Sequence, residues 1–221
     1  MSIRSRIYDW FLLPLTSRWY GEVLNRLSPG ARLLDIGIGT GGALASHAEL
    51  LKSRAIRVMG LDIDPAYVRT AIARMERDRL TEHVEVRLEP IQSHQGGPYD
   101  AAYFSGSFML MPDPDAVLRH VRERLTESGR VFFTQTFQRK RSPMLEWIKP
   151  RLRRVTTVDF GQVSYEASFF EQLKRGNWEV IEDQTLRQGP GWSQRLIIAS
   201  ARRGRGLKKR HPSESDAAQS I

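Results

Sequence analysis

With 221 residues, 40% of them hydrophobic, and 5 Trp, 6 Tyr and 9 Phe, the chain is long enough for one well-packed domain with decorations. Cysteine is absent, which excludes a disulfide framework, a thiol nucleophile and a thiolate metal site, and fits a reducing compartment. The formal charge of +9 is clustered: residues 139–154 hold seven basic residues against Glu146, the tail from Arg202 holds six against Glu214 and Asp216, and the rest is within one charge of neutral.

The opening residues, MSIRSRIYDWFLLPL, hold a short apolar stretch interrupted by Asp9 and Pro14, with no small-residue cleavage site after it. No signal peptide is predicted, no later run reaches membrane-spanning length, and the expected location is cytoplasmic, with peripheral membrane contact as an addition. Ile7, Trp10, Phe11, Leu15 and Trp19 follow roughly helical spacing broken at Pro14. They form either an aromatic cage for an apolar or cationic acceptor, with Tyr8 and Tyr20 adding polar contacts, or a helix that packs on the domain.

After residue 30 short apolar runs alternate with longer amphipathic ones, the mark of a parallel sheet wrapped by helices. Strands are predicted at Arg32 to Ile36, Ile56 to Asp62, His83 to Glu89, Ala101 to Ser105 and Arg130 to Thr136. Asp64 is placed to cap a helix with Pro65 at its first position, and Asp113 with Pro114 repeats the device for a helix expected to stop at Gly129. The run RSPMLEWIKPRLRRV sets Leu145, Ile148, Leu152 and Val155 against Lys149, Arg151, Arg153 and Arg154, with Pro150 interrupting. Such a stretch either rests on an anionic surface or packs on the domain with its charges solvated. A helix at YEASFFEQLKRG precedes two strands, WEVIEDQTL and RLIIASAR, joined by a short RQGPGWSQ and therefore antiparallel. The last twenty residues are polar and basic and are read as disordered.

The chemistry gathers at LLDIGIGTGGAL, whose Gly37-Ile38-Gly39-Thr40-Gly41-Gly42 fits both the dinucleotide G-x-G-x-x-G turn and the G-x-G-x-G turn of proteins that bind S-adenosylmethionine. Asp35, two residues before the turn, discriminates between them: a carboxylate there repels a pyrophosphate and attracts the ammonium and sulfonium groups of S-adenosylmethionine. Asp62 follows Gly41 by 21 residues, the spacing at which an acid reaches ribose hydroxyls, and Ile63 beside it is placed to cover an adenine face. The bland alternative makes both acids strand-end caps on an unliganded fold.

These residues, with MGLDIDPAYV, VEVRLEPIQ and YDAAYFSGSFMLMPDPDAVLRHVRERLTESGRVFFTQ, resemble class I S-adenosylmethionine-dependent methyltransferases of the small-molecule and lipid or quinone type, over roughly residues 30 to 136. The resemblance implies a Rossmann-like α/β fold: a seven-stranded, mostly parallel sheet, its last strand antiparallel, with helices on both faces. It further implies an N-terminal helical lid over 1–30, a cofactor domain over 31–201 with a lid or substrate insertion at 137–164 after the fifth strand, and a basic tail at 202–221. Carried over by position, Asp35, Gly37, Ile38, Gly39 and Gly41 hold the methionine end, Asp62 the ribose, and Ile63, Glu89, Pro90 and Ile91 surround the adenine. Ser105, at the end of the fourth strand, completes the cofactor site. Family members usually have Gly-Asp after the third strand, where this chain reads Leu88-Glu89-Pro90.

Methyl transfer from a sulfonium needs positioning and exclusion of water, and a base only if the acceptor must lose a proton. His94, Asp159 and Tyr165 are the candidates for such a base, although a lone His in QSHQGG is more often a plain loop residue. Tyr8, Trp10, Phe11, Trp19, Tyr20, Ser107, Phe108 and Trp147 are the acceptor candidates, Phe108 being equally core filler. No metal site is predicted. The expected function is methyl transfer from S-adenosyl-L-methionine, leaving S-adenosyl-L-homocysteine, to a small-molecule or lipid-like acceptor, with contact to an anionic membrane through 139–154 and the tail. The alternatives are a protein or RNA methyltransferase docking through the basic clusters, and a non-catalytic interaction module. The tail has no aromatic residues for base stacking, so specific nucleic-acid recognition is not expected.

Overall fold

In the computed structural model, which describes residues 16–138 and 165–202, seven strands form one sheet in the order β3-β2-β1-β4-β5-β7-β6. The strands are β1 (Arg32–Ile36), β2 (Arg57–Asp62), β3 (Val84–Leu88), β4 (Tyr99–Ser105), β5 (Leu125–Gln138), β6 (Trp178–Gly189) and β7 (Trp192–Ala201). β1 to β5 pair parallel, and β7 runs antiparallel between β5 and β6. The chain threads outward from β1 to β3 and returns to place β4 on the other side of β1, so the strand order reverses between β1 and β4. A ligand crevice opens outside the carboxyl ends of strands at such a reversal.

Both faces of the sheet are covered, as a parallel sheet requires. Successive residues of β1 divide between the two layers: Leu33 packs with Leu44, Leu51, Tyr103 and Leu196, and Leu34 with Phe104, Val121, Phe133 and Ile197. Residues 16–24 form helix α1, whose Tyr20, Val23 and Leu24 are buried in the first layer. This part of the predicted N-terminal segment is therefore a wall of the core. The short helices α2 (Gly42–Ala45) and α3 (Ala48–Ser53) follow the glycine turn. The other layer is closed by α5 (Pro114–Arg124) through Val117, Leu118 and Val121, and by α6 (Glu166–Arg175) through Phe169 and Leu173.

The predicted caps form. Asp64 Oδ1 accepts from the N–H groups of Ala66 at 2.7 Å and Tyr67 at 3.3 Å to open α4 (Pro65–Arg77), and Asp113 Oδ1 accepts from Ala116 at 2.9 Å to open α5. The stop of α5 differs from expectation, because the helix ends at Arg124 and Leu125 is already extended and paired with Tyr99. Gly129 serves a different purpose, since a Cβ there would lie 2.8 Å from Leu125 Cβ and 3.0 Å from the Thr126 carbonyl oxygen. It permits the irregularity by which β5 slips register between Leu125 and Arg130. The β6–β7 hairpin is likewise longer than predicted: pairing continues to Gly189 and Trp192, so only Pro190 and Gly191 remain in the turn. The basic stretch 139–154, the residues before 16 and those after 202 lie outside the described residues.

Candidate cofactor site

The site begins where β1 ends. Gly37, at φ +85, lies so close to the segment after β4 that a Cβ would sit 2.6 Å from Ser107 Cβ. Ser107 is fastened there by donating its hydroxyl to the carbonyl of Ile36. At the other end of the turn Gly41, at φ +68, backs onto α4, where a Cβ would meet Met75 Cε at 2.7 Å and Ala71 Cβ at 3.3 Å. The turn is thus wedged between the end of β4 and α4, with its inner side left to a cleft. Gly37, Ile38, Thr40, Gly42 and Ala43 line one side of that cleft, and Thr16, Tyr20 and Ser105 the other. The Ser105 hydroxyl is buried with no hydrogen-bond partner.

Asp35 is fully buried. Its Oδ2 accepts a 2.7 Å hydrogen bond from the Tyr20 hydroxyl, and its Oδ1 has no partner among the described residues. Burial pushes the carboxyl up to about 7; the Tyr20 bond opposes this and the Asp62 charge adds to it. Asp62 also titrates above the usual carboxylate range, first because of burial, against the N–H groups of Asp64, Gly39 and Ile63. Its Oδ2 accepts from Gly39 N and its Oδ1 from Asp64 N, both at 2.9 Å, so this acid braces the glycine turn. A carboxylate has about four lone-pair sites, so acceptor capacity remains for hydroxyl groups.

Ile63 is 73% exposed, and Leu88, registered beside Asp62 on β3, is 55% exposed. Two large apolar side chains therefore stand in solvent at neighbouring strand ends, and sequence reading had marked only the first of them. Ile91 is buried in the core beneath, and Pro90 is exposed. Glu89 is turned toward the fully buried His94, with Oε2 3.0 Å from Nδ1.

The other named residues separate into two sets. Tyr20 and Ser105 join the glycine turn at the cleft, as does Thr16, which nothing in the sequence had marked. Trp19 is buried, its ring edge 3.6 Å from where a Cβ on Gly106 would lie. Phe108 belongs to the aromatic core, edge-on to Phe104 at 5.1 Å and Phe133 at 5.0 Å. His94 has both ring nitrogens engaged, the second by the Tyr99 hydroxyl at 2.8 Å, and lies outside the cleft lining. Tyr165 bridges Gln138 at the start of α6. Tyr8, Trp10, Phe11, Trp147 and Asp159 lie outside the described residues.

Residues 34–131, from the middle of β1 into β5, match the family model described as a methyltransferase domain. The matched stretch takes in Asp35, the glycine turn, Asp62 and the end of β4, so it covers the site itself. Among curated relatives of this chain, the ubiquinone biosynthesis O-methyltransferase of Bordetella avium (strain 197N) is 30% identical over 122 residues, covering 55% of this chain and 48% of the relative. That of Xanthomonas axonopodis pv. citri (strain 306) is 30% identical over 113 residues, covering 49% and 45%. The chain spans about half the length of the curated relatives it matches. Among solved structures, the [4+2]-cyclase SpnF superposes with a TM-score of 0.69 at 18% identity over 85% of this chain and 82% of its own. The geranyl diphosphate C-methyltransferase of Streptomyces coelicolor A3(2), solved with S-adenosyl-L-homocysteine, gives 0.66 at 15% identity over 84% and 77%. Those likenesses show the fold alone, and a cyclase beside a methyltransferase among them shows that the fold does not set the reaction.

Proposed function

We propose that the chain transfers a methyl group from S-adenosyl-L-methionine, by in-line displacement, to a small-molecule or lipid-like acceptor and releases S-adenosyl-L-homocysteine. The observation that carries this reading is the buried Asp35 carboxylate, one oxygen of which has no partner among the described residues while the other is bonded to Tyr20, a residue lining a glycine-walled cleft. A carboxylate in that position disfavours a diphosphate and favours an ammonium or sulfonium group. In this reading Asp35, Gly37, Ile38, Gly39 and Gly41 hold the methionine end and Asp62 takes the ribose hydroxyls. Ile63 and Leu88 cover the adenine, with Glu89 and Pro90 at its edge and Ile91 supporting from beneath. Bound there, the cofactor supplies a methyl group already activated on a sulfonium. The tasks left to the chain are to hold the acceptor in line and to keep water out. Ser105 at the end of β4 and Tyr20 from α1 both line the cleft.

A lipid-like acceptor is favoured by the curated relatives, which are named for ubiquinone biosynthesis. It is favoured also by charge: the described residues carry twenty Lys and Arg against twenty Asp and Glu, so the whole +9 lies in 1–15, 139–164 and 203–221. The cofactor domain is taken as 31–201, with 1–30 and 137–164 serving the acceptor and 202–221 a basic tail. Residues 139–154 and the tail then rest on an anionic membrane from the cytoplasmic side. Among the described residues no helix is long and apolar enough to cross a membrane.

Incubation with methyl-labelled cofactor and fractionated extract tests the reading, with label expected in lipid or small metabolites. Label in protein or RNA would favour docking through the basic clusters, and no transfer with no binding heat would leave a non-catalytic module. Asp62→Ala is expected to weaken cofactor binding by on the order of 2 to 4 kcal/mol in calorimetry, through lost hydroxyl contacts and a loosened turn.

A further inference from the structure

A fully buried carboxylate is stable only with compensation, and Asp35 has little of it in the free chain. Strand β1 carries it between Gly60 of β2 and Tyr103 of β4, neither of which offers it a cation. Among the described residues the ionisable groups that act on it are Tyr20 from α1 and Asp62 from β2, and of these only Tyr20 favours the anion. The Tyr103 hydroxyl pairs with Thr134 Oγ1 at 2.6 Å. Tyr20 is itself held firmly, with its ring edge-on to Tyr103 at 5.0 Å and its side chain 2% exposed.

Tyr20 touches two things at once: it lines the cleft and it donates to Asp35. A carboxylate gripped at one oxygen cannot rotate freely, so this single bond decides which way the other oxygen is presented. The helix that brings Tyr20 also brings Thr16 to the same cleft.

We propose that Tyr20 is a positioning residue for the methyl donor: its bond to Asp35 Oδ2 holds the carboxylate with Oδ1 presented to the donor's ammonium group, and so links the seating of α1 to occupancy of the cofactor site. This rests on the methyltransferase reading and deepens it. It also reassigns Tyr20 from the acceptor to the donor. The link has a proton attached to it. Below neutral pH Asp35 keeps its proton in the free chain, and a cation arriving at Oδ1 displaces that proton to the buffer, so donor binding and proton release are one event. Removing the Tyr20 hydroxyl takes away the one bond that favours the anion, and the pH window in which binding releases a proton must move upward.

The test is calorimetry of S-adenosylmethionine binding in pairs of buffers with different ionisation heats, from pH 5.5 to 8.5, on the full chain and on Tyr20→Phe, Tyr103→Phe and Asp35→Asn. The unsubstituted chain is expected to release close to one proton at the acid end and almost none at the alkaline end. Tyr20→Phe should bind about tenfold more weakly at pH 7 and release its proton to higher pH. Asp35→Asn should release none. Tyr103→Phe removes a hydroxyl from the same buried patch, one that pairs with Thr134, so it should keep the unsubstituted proton profile even if it melts earlier. Tyr20→Phe with unchanged affinity and proton profile overturns the inference alone, as does a profile moved equally by Tyr103→Phe. Absence of donor binding by the unsubstituted chain sinks the methyltransferase reading itself and this inference with it.

Discussion

Asp35 illustrates how a binding residue can work against the stability of the chain that carries it. Its carboxyl titrates at about 7 in the fold against 3.8 for the unperturbed group, so between those values the folded chain retains a proton that the unfolded chain has lost. Stability from this group therefore falls as pH rises through that window and stays low above it. Asp35→Asn is expected to stabilise the free chain at pH 8 by on the order of 1 to 3 kcal/mol while weakening donor binding. Thermal melts at pH 5 and pH 8 check the sign: the unsubstituted chain should lose more stability between them than the variant. Asp62 carries a penalty of the same sign, its carboxyl being raised by burial, and two backbone N–H groups at 2.9 Å oppose that shift.

The helix that delivers Tyr20 is secured at its far end by other side chains. Arg54 donates to the carbonyls of Leu24 at 3.1 Å and Asn25 at 3.0 Å, and also to that of Leu27, which occupies carbonyl groups left over where α1 ends. Arg26 reaches across to β6, at 2.7 Å from both Glu182 and Gln184, and ties the same helix to the edge of the sheet. Arg54→Ala should cost about 1 to 2 kcal/mol, speed amide exchange over residues 16–27 and weaken donor binding without contact to the cleft. If exchange at α1 were unchanged, the clamp would have no bearing on the site. Helix α5 makes a complementary point. Its start was legible because Asp113 and Pro114 act within one turn, whereas its end was set by the pairing of Leu125 with Tyr99, 26 residues away.

Across the molecule the charge is separated from the fold. The described residues balance to zero and the net positive charge lies in segments outside them. Electrostatic attraction to an anionic bilayer is worth about 1 kcal/mol per Lys or Arg near the surface and is screened by salt. Removal of residues 203–221 is therefore expected to reduce binding to vesicles rich in anionic lipid, and raised salt to reduce it further, in a sedimentation assay. Equal binding with and without the segment would assign the tail no part in membrane contact. The described sheet should be unaffected, since Arg202 N–H closes its own bond to the Asn177 carbonyl at 2.9 Å before the tail begins.

The order of strands and helices, the two caps and the glycine turn with its two acids were readable from the chain alone. Each depends on residues within a few positions of one another, or on a spacing that one strand and one helix impose. Tertiary structure decided which of the marked side chains meet. It buried His94 between Glu89 and Tyr99, sent Phe108 into the core, and carried Tyr20 fifteen positions along the chain to Asp35. No periodicity encodes those meetings, because they arise when separate elements pack and the side chains between them compete for a small number of buried polar partners.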